Sequence, residues 1–369
     1  MRYAPVPSSG EAAAHAVTGP SGPEPSPAAT GPPGSETLRV VRSLDERSWA
    51  SFVEQHDDGS IFHTPEMHRV FAETRHHRPA VWGTVGGAGE IRALMTPVTI
   101  ATLGGPLRAV TSRVVSFAGP LADPLGGEPL VRLLRACRDE GPRLPVFTEI
   151  RHHVDEGDLA DAIHASGFRH EAHLNFLVDL TQSEDELWRK VASSAKRNVL
   201  KARREGVIVE DAADPGGVAA GYEVLRDVYR RIRVPLPDRS LFDAAFRILG
   251  PLGRCRVVLA RLGGRTIGVM TLLHFKGVVT YWYTGTLREF ARLGAGDLLV
   301  AHAIESEHEL GCRLLDLGGA GRPDEPYGVR DFKAKYGGLL VDFGRDIWVR
   351  SPARMRIATT GYESIRRFL

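Results

Sequence analysis

The feature that most constrains the fold is a set of three strand-like segments in direct succession. They are rich in β-branched and other apolar residues and read CRVVLARL (255–262), TIGVMTLLHF (266–275) and VVTYWYTGT (278–286). Only the short connections Gly263-Gly264 and Lys276-Gly277 separate them. Because Gly-containing turns of this length join neighbouring antiparallel strands, the pattern predicts a three-stranded meander.

A loop, a helix and a further strand follow the meander. The helix is predicted to end near Gly311, since glycine readily adopts the left-handed cap of a helix, and RLLDLGG (313–319) is strand-like. The first half of the chain repeats this order more faintly, in AVWGTV (80–85), IRALMTPVTIAT (91–102), the loop SFAGPLADP (116–124), the helical PLVRLLRACRDE (129–140) and PVFTEIRH (145–152). A unit that occurs twice favours two similar mixed α/β domains packed together.

Length and composition fit this division. The 369 residues suggest two domains, and residues 1–37, rich in Pro, Gly, Ala and Ser, are predicted to be a disordered tail. A net charge of +2 argues against a general polyanion binder. Three scattered cysteines fit a reducing compartment. Without a signal peptide or a run of about 18 apolar residues, the chain is expected to be cytoplasmic.

Residues 183–206 are predicted to form a basic amphipathic helix. Ser183 and Glu186 have the spacing of a capping box. Arg197, Lys201 and Arg204 follow one another at i, i+4 and i+7 and therefore project from one face. This face could bind phosphate or nucleic acid, or it could simply be the solvated side of the helix.

The segment ARLGAG (291–296) opens the predicted helix of the second half. Backbone N–H groups at a helix start attract phosphates, and acyl-CoA-dependent acetyltransferases hold the cofactor pyrophosphate there with Q/R-x-x-G-x-G/A. This chain supplies Gly294 and Gly296 but has Ala291 in the Gln or Arg position. The two glycines could equally be plain turn formers.

Two further residues are candidates for catalysis. Lys333 lies in DFKAKYGG (331–338) among apolar and aromatic residues, where a fixed cation could stabilise an oxyanion. Asp123 follows a Gly-Pro turn and could act as a base or as an acceptor for an amine. The alternatives are a surface lysine beside a strand and a turn-capping aspartate.

No metal site is predicted. His302, Glu305 and His308 share one helix at i, i+3 and i+6, whereas a metal pair needs i and i+4. His152 and His153 are adjacent, so in an extended strand their side chains point to opposite faces.

From about Leu38 to Val349 the chain resembles the Fem-like (FemABX-type) aminoacyltransferases, the peptidoglycan-bridge branch of the GNAT superfamily. The resemblance rests on AGPLAD, KRNVLKARREGV, the block from YWYTGT to LLDLGG, and DFKAKYGG. It implies an α/β (α+β) fold of two tandem GNAT-like domains, residues 38–180 and 181–369, each a mixed, mostly antiparallel sheet flanked by helices. The long coiled-coil arm of the well-studied members is missing, which places the chain with the armless relatives.

The resemblance also implies a reaction: transfer of an amino acid from aminoacyl-tRNA to an amine acceptor such as a cell-wall precursor or a natural-product peptide. Aminoacyl-tRNA would be a co-substrate, with no further cofactor. By position in the family's motifs, Lys333 would lie beside the reacting carbonyl, Phe332 would contact substrate, and Asp123 would be an amine ligand or base.

Two other functions remain open at this stage. One is an acyl-CoA-dependent N-acyltransferase that uses the ARLGAG loop and acts on a small-molecule or polysaccharide amine. The other is a non-enzymatic nucleic-acid-binding protein, favoured by the basic helix alone. The sequence leaves the acceptor and the oligomeric state undetermined.

Overall fold

The structure is a computed structural model that describes residues 37–101, 108–123 and 127–368, with side chains up to residue 360. Most of the predicted tail, 1–36, lies outside these residues. In the first half the elements are β1 (Arg39–Val41), α1 (Glu46–Gln55), α2 (Pro65–Glu73), β2 (His77–Pro79), β3 (Trp82–Val85), β4 (Ile91–Met95), β5 (Pro97–Ala101), α3 (Arg108–Thr111), β6 (Ser112–Ser116), β7 (Leu121–Ala122), α4 (Gly127–Glu140), β8 (Phe147–Arg151), α5 (Ala160–Ala165) and β9 (Arg169–Glu171).

The second half continues the alternation of strands and helices. Its elements are β10 (Leu174–Asp179), α6 (Glu184–Lys190), α7 (Ser193–Arg204), β11 (Ile208–Asp211), α8 (Pro215–Ile232), α9 (Ser240–Leu249), β12 (Cys255–Leu262), β13 (Arg265–Phe275), β14 (Val278–Thr286), α10 (Ala295–Glu309), β15 (Leu314–Gly319), α11 (Gly328–Lys333), β16 (Leu339–Asp342), β17 (Arg345–Val349) and α12 (Pro352–Phe368). None of these described helices combines the length and the unbroken apolar run that crossing a bilayer requires.

The meander is confirmed almost residue for residue. β12 pairs with β13 and β13 with β14, both antiparallel. Gly263 and Gly264 both have positive φ, 56° and 81°, and Lys276 and Gly277 follow suit at 50° and 72°. Two successive residues with positive φ form a tight turn whose twist matches that of the flanking strands. The turn chemistry therefore fixed the register, as the sequence indicated.

Each half builds a mixed sheet that contains one parallel pair. The described strands form a four-stranded sheet β1-β3-β4-β7, a six-stranded sheet β2-β5-β6-β8-β17-β9 and a seven-stranded sheet β11-β12-β13-β14-β15-β10-β16. The parallel pairs are β6 with β8 and β14 with β15, and the other described pairs are antiparallel. The predicted α/β class with mostly antiparallel sheets is confirmed. The single strand predicted over 91–102 is instead divided at Thr96, so β4 and β5 enter different sheets.

The two halves exchange strands. β10 pairs with β15 and β16 in the second sheet, although it precedes the predicted boundary between residues 180 and 181. β17, from the far end of the chain, pairs with β8 and β9 in the first sheet. Each borrowed strand lies antiparallel beside the second member of a parallel pair, so the exchange is reciprocal. The hydrogen-bonded sheets therefore do not follow the predicted boundary.

The predicted basic helix is two helices. The capping box is present, with Ser183 N donating to Glu186 Oε2 at 3.1 Å. The chain then turns extended at Val191, and Ala192 N donates to Lys335 O at 2.7 Å. This bond to a distant segment replaces a hydrogen bond along the helix. The local sequence contains no Gly or Pro that would predict the break. The predicted apolar face is nevertheless buried at Val191, Ala195, Val199 and Ala202.

One core cluster spans both halves. It contains Val70 and Phe71 of α2 together with Leu241 and Phe242 of α9, and it continues into the meander. Helix α2 packs against α9 across this cluster. Burial of apolar side chains on both sides holds the halves against each other, which fixes the cavity between them.

Candidate active site

A cavity opens where β14 and β15 separate. The two strands pair only over Val278–Thr280 and Leu314–Asp316. Beyond these residues they diverge, while β15 stays paired with β10 on its other edge and β14 stays paired with β13. The resulting space measures about 230 Å³ and is lined by residues of both halves, among them Phe117, Arg151, His153, Tyr281, Gly319 and Arg345. A parted parallel pair supplies backbone groups that have no strand partner and can face a ligand.

Lys333 ends α11 at the edge of this space. Its side chain is only 7% exposed, and Nζ donates a hydrogen bond to Gly319 O at 2.8 Å. Nζ also lies 5.7 Å from the centre of the Tyr281 ring. Burial lowers the pKa of Lys333 to about 8, against the attraction of Asp316, which raises it. A lysine in this position is still charged at neutral pH.

Asp316 and His153 join the two halves inside the site. Asp316 Oδ2 lies 3.1 Å from His153 Nδ1, and Oδ1 accepts from Gly318 N at 2.7 Å and from Asn175 Nδ2 at 3.3 Å. Burial alone would raise the pKa of Asp316, but the hydrogen bonds from His153 and Gly318 hold it below its usual value. The carboxylate is therefore charged and fully partnered.

His153 has an acceptor at each ring nitrogen. Nε2 lies 2.8 Å from Phe117 O, while Nδ1 faces Asp316. The ring also stacks on Phe62, with centroids 5.5 Å apart, so its orientation is fixed on all sides.

Arginines give a second wall of the cavity a positive charge. Arg345 and Arg151 both donate to Glu149, with Arg345 Nη1 2.7 Å and Arg151 Nε 3.1 Å from Oε1. Burial would raise the pKa of Glu149, and the two arginines lower it to about 2. Burial and Arg151 lower the pKa of Arg345 to about 10, and burial and Arg345 lower that of His173 to about 4. Two cations against one carboxylate favour an anionic group of a substrate.

The glycines predicted to bind substrate lie beside the lysine segment. Gly294 has φ 81°, and a Cβ there would come within 2.5 Å of Asn198 O on α7. A Cβ on Gly296 would lie 3.8 Å from Phe332 Cζ, and the Phe332 ring packs edge-on against Tyr336 at 5.4 Å. The ARLGAG loop, Phe332 and Lys333 are thus brought into one region. The start of α10 is, however, packed against α7.

The basic residues of α7 differ in their surroundings. Lys201 Nζ donates to Arg292 O at 2.7 Å, so it fastens α7 to the ARLGAG loop. Arg197 and Arg204 are exposed, and no ion pair or hydrogen bond joins the side chain of either to another residue within the described ranges. The neighbouring Arg203 is paired with Glu305 at 2.8 Å. Arg197 and Arg204 are the members of the predicted set that remain available to a ligand.

Asp123 lies apart from the lysine. It follows β7, its backbone N donates to Arg92 O at 3.1 Å, and its carboxylate is 3.4 Å from Arg92 Nη1. Neither Asp123 nor Lys333 is among the residues that line the cavity, but Lys333 contacts two lining residues, Gly319 and Tyr281. The structure thus gathers Lys333, Phe332 and the glycines, but leaves Asp123 in the first half with an arginine partner. Its role as a base stays a prediction.

Sequence reasoning did not select His153, Asp316 or Arg345. Asp316 carried one signal: a single carboxylate within the apolar strand RLLDLGG, where an unpaired charge would be costly. The partner that justifies this burial, His153, lies 163 residues away, and no local pattern connects them. His152 and His153 follow β8 instead of lying in it. They bond to different carboxylates, Asp346 and Asp316 respectively, although both line the cavity.

Comparison with known proteins agrees with this architecture. Residues 189–333 match the family model described as an acetyltransferase (GNAT) domain. The structure is similar to the crystal structure of FemX, with a TM-score of 0.66 and 15% identity over 87% of this chain and 100% of that one. No curated protein sequence matches the chain significantly.

Two further solved structures share the arrangement. One is the C-terminal domain of a putative lysylphosphatidylglycerol synthetase from Agrobacterium fabrum, with a TM-score of 0.55 and 15% identity over 85% of this chain and 94% of that one. The other is a tandem GNAT protein from the clavulanic acid biosynthesis pathway, with a TM-score of 0.54 and 14% identity over 86% and 99%. The chain therefore has a Fem-like tandem GNAT fold, as its sequence resemblance implied.

Proposed function

We propose that this chain is an N-acyltransferase that moves an amino acid from aminoacyl-tRNA to an amine acceptor, such as a cell-wall precursor or a natural-product peptide. Such a reaction takes place in the cytoplasm, where charged tRNA is found. The proposal draws on the Fem-like fold, on the DFKAKYGG resemblance and on the surroundings of Lys333.

The observation that carries the proposal is a buried ammonium group with spare donors. Within the described part of the chain, Lys333 Nζ makes one hydrogen bond, to Gly319 O, and an ammonium group has three N–H donors. The group is buried where β14 and β15 part, so water competes little for the remaining donors. A substrate carbonyl oxygen placed there would gain a charged hydrogen bond that strengthens as negative charge develops.

In the proposed reaction the neutral amine attacks the ester carbonyl of the aminoacyl group. The C–N bond forms, and the carbonyl oxygen becomes an oxyanion that Lys333 stabilises. The ester C–O bond then breaks, and the proton lost by the amine passes to the departing ribose oxygen, which becomes a hydroxyl. The overall change is amine plus ester to amide plus alcohol. The protein mainly aligns the reactants and supplies one fixed charge.

The arginine wall suits the anionic part of either substrate. Arg151 and Arg345 are held by the shared Glu149, so their positions are set before a ligand arrives. A phosphate at the acceptor end of tRNA, or a carboxylate or phosphate of the acceptor, would meet preorganised donors there.

The decisive experiment distinguishes between the two possible acyl donors, aminoacyl-tRNA and acyl-CoA. The full chain is incubated with isotopically labelled aminoacyl-tRNA or with labelled acyl-CoA, each with a mixture of peptide and amino-sugar amines, and amides are identified by mass spectrometry. Fluorescence anisotropy with aminoacyl-tRNA and with CoA gives a readout that needs no acceptor. Label transfer and binding from the tRNA arm alone support the proposal. Transfer from acyl-CoA alone replaces it with the second candidate, and tRNA binding without transfer in either arm favours the non-enzymatic one.

The second candidate, an acyl-CoA-dependent N-acyltransferase, is favoured by the match of 189–333 to an acetyltransferase domain. This function requires that the start of α10 bind the pyrophosphate of CoA. There the sequence has Ala291 in place of Gln or Arg, and Asn198 of α7 already packs against Gly294. We therefore rank it below the aminoacyl-tRNA donor.

Salt dependence tests whether α7 contacts nucleic acid. Replacing both Arg197 and Arg204 by Gln should make the slope of log binding constant against log salt shallower by about 1.4–1.8. Arg203→Gln is the matched control, because that guanidinium is already paired with Glu305. Equal slopes for wild type and the double variant would show that α7 is a solvated face.

A further inference from the structure

A second cluster of titratable side chains lies outside the cavity. Glu156, His164, His170 and Asp346 each present one nitrogen or carboxylate oxygen, and these four atoms lie within 4.8 Å of one another. His164 belongs to α5, His170 to β9 and Asp346 to β17, while Glu156 precedes a short turn of 3₁₀ helix. None of the four lines the cavity at the parted strands.

One oxygen in this cluster accepts no hydrogen bond from a nitrogen of the described residues. Asp346 is completely buried, and its Oδ2 lies 2.7 Å from His152 Nε2. Its Oδ1 is buried and meets no nitrogen donor within the described ranges, while the carboxyl of Glu156 hydrogen-bonds to the Asp346 carboxylate. Burial and this hydrogen bond together raise the pKa of Glu156. His164 Nε2 and His170 Nδ1 stand 3.8 and 3.9 Å from it, beyond hydrogen-bond reach. A buried carboxylate oxygen of this kind is stabilised by a cation, a proton or a water molecule beside it, and the two nearby imidazoles favour a cation.

The spacing of the four atoms fits a small tetrahedral cation. Zinc bonds of about 2.0–2.2 Å place neighbouring ligand atoms roughly 3.3–3.6 Å apart in a tetrahedron. Glu156 Oε1 lies 3.0 Å from His170 Nδ1, the two histidine-to-Asp346 distances are 3.8 and 3.9 Å, and all four atoms stay within 4.8 Å of one another. Small shifts of the side chains would bring the atoms to the spacing of a zinc site. Two imidazoles with two carboxylates form a donor set that suits zinc rather than magnesium or calcium.

The backbone is shaped for the cluster. Gly344 has φ 68°, and a Cβ there would lie 2.0 Å from His170 Cε1, so the absence of a side chain lets the imidazole rest against the backbone before β17. The side chains of His164 and His170 are 47% and 39% exposed. An ion can therefore reach the buried Asp346 from solvent past the two histidines.

We propose that Glu156, His164, His170 and Asp346 bind one zinc ion. With four protein ligands the site is closed, which is typical of a structural rather than a catalytic metal. It would fasten β17, the strand borrowed by the first sheet, to α5 and β9. His152 Nε2 lies 2.7 Å from the other oxygen of Asp346 and 3.0 Å from Glu156 Oε1, so it would orient both carboxylate ligands.

The test uses the untagged full-length chain, freed of metal with a chelator and then titrated with Zn²⁺ by calorimetry. One equivalent should bind, and Co²⁺ in its place should give the visible absorption bands of a four-coordinate site. Mg²⁺ should not compete. The variant with both His164→Ala and His170→Ala should lose about 100-fold or more in zinc affinity, at least as much as removing an outer-shell partner costs elsewhere.

His76→Ala is the matched control, because His76 is exposed and lies outside the cluster. Both replaced histidines are exposed as well, so circular dichroism should report a native fold for each variant. The proposal fails if the wild-type chain binds zinc no more tightly than the folded double variant. If the wild type, the double variant and His76→Ala all bind zinc with equal affinity, the ion binds at a different site on the protein.

Discussion

Two adjacent histidines lead to two contrasting carboxylates. His153 turns to Asp316 at the cavity, and His152 turns to Asp346 in the cluster. Both carboxylates are buried. Asp316 accepts hydrogen bonds from nitrogens on both oxygens, whereas Asp346 Oδ1 meets no nitrogen donor among the described residues. The difference sets a carboxylate that protein donors neutralise against one for which we propose a bound cation.

The largest expected effect separates the two sites by function. Lys333→Met should lower the rate of amide formation by about 10²–10³-fold, the usual cost of removing one oxyanion donor, while zinc affinity stays unchanged. Rates follow from label transfer and affinity from calorimetry. Lys335→Met is the matched control, since Lys335 points to Asp297, 3.7 Å away. A Lys333→Met enzyme with the wild-type rate would remove the lysine from the mechanism.

The second prediction compares the carboxylates directly. Asp316→Asn removes a charged acceptor and should lower the free energy of unfolding by about 1.5–3 kcal/mol, equally with and without chelator. Asp346→Asn should lower the free energy of unfolding more when zinc is present than in chelator, because in chelator both the wild type and the variant have lost the ion. Urea unfolding under the two conditions measures this. If chelator changes the unfolding free energy of the two variants in the same way, Asp346 and Asp316 do not differ in metal binding.

The third prediction uses pH at the cavity. The pKa of Lys333 is about 8, and a lysine is charged below its pKa, so the stabilising charge is present at pH 7 and lost above 8. The rate should fall about tenfold per pH unit there. In Lys333→Arg, which is slower because the geometry differs, this fall should disappear, since a guanidinium stays charged. A rate that still declines in the arginine variant would assign the fall to another group.

The smallest effect concerns the cluster. Removing zinc that was present at about five times its dissociation constant should cost about 1 kcal/mol of stability, which is a fall of about 1–2 °C in Tm for a chain of this length. The initial rate of label transfer at 25 °C should not change. The double variant with His164→Ala and His170→Ala should show the same Tm with and without chelator. If a chelator abolishes activity while Tm stays constant, the metal takes part in the reaction and does not stabilise the fold.

The sequence predicted those parts of the fold that local chemistry determines. The meander was visible because Gly263-Gly264 and Lys276-Gly277 can adopt the turns that its strands require, and Gly311 does end α10 with φ 75°. The break at Val191 was missed because the bond that holds it comes from Lys335. Tertiary contacts of this kind override helix propensity without leaving a local mark.

The site was predictable only in part. Lys333 was chosen through its resemblance to a family motif, and its burial and spare donors could be seen only once α11 was placed against Gly319. The partners of Asp316 and Asp346 come from the other half of the chain. Histidines that look unrelated along the sequence, such as His164 and His170, meet Asp346 because a borrowed strand brings it to them.

The exchanged strand β17 also sets the order in which the protein can fold. Asp346 and its partner His152 are 194 residues apart, so the first sheet lacks an interior strand until the end of the chain has been synthesised. During translation, the edge of β8 would stay open and prone to pairing with other chains. We expect slow, late completion of the first half, because contacts between distant segments close large loops. A chaperone that shields this edge would then act on the N-terminal half while the C-terminal half is still being made.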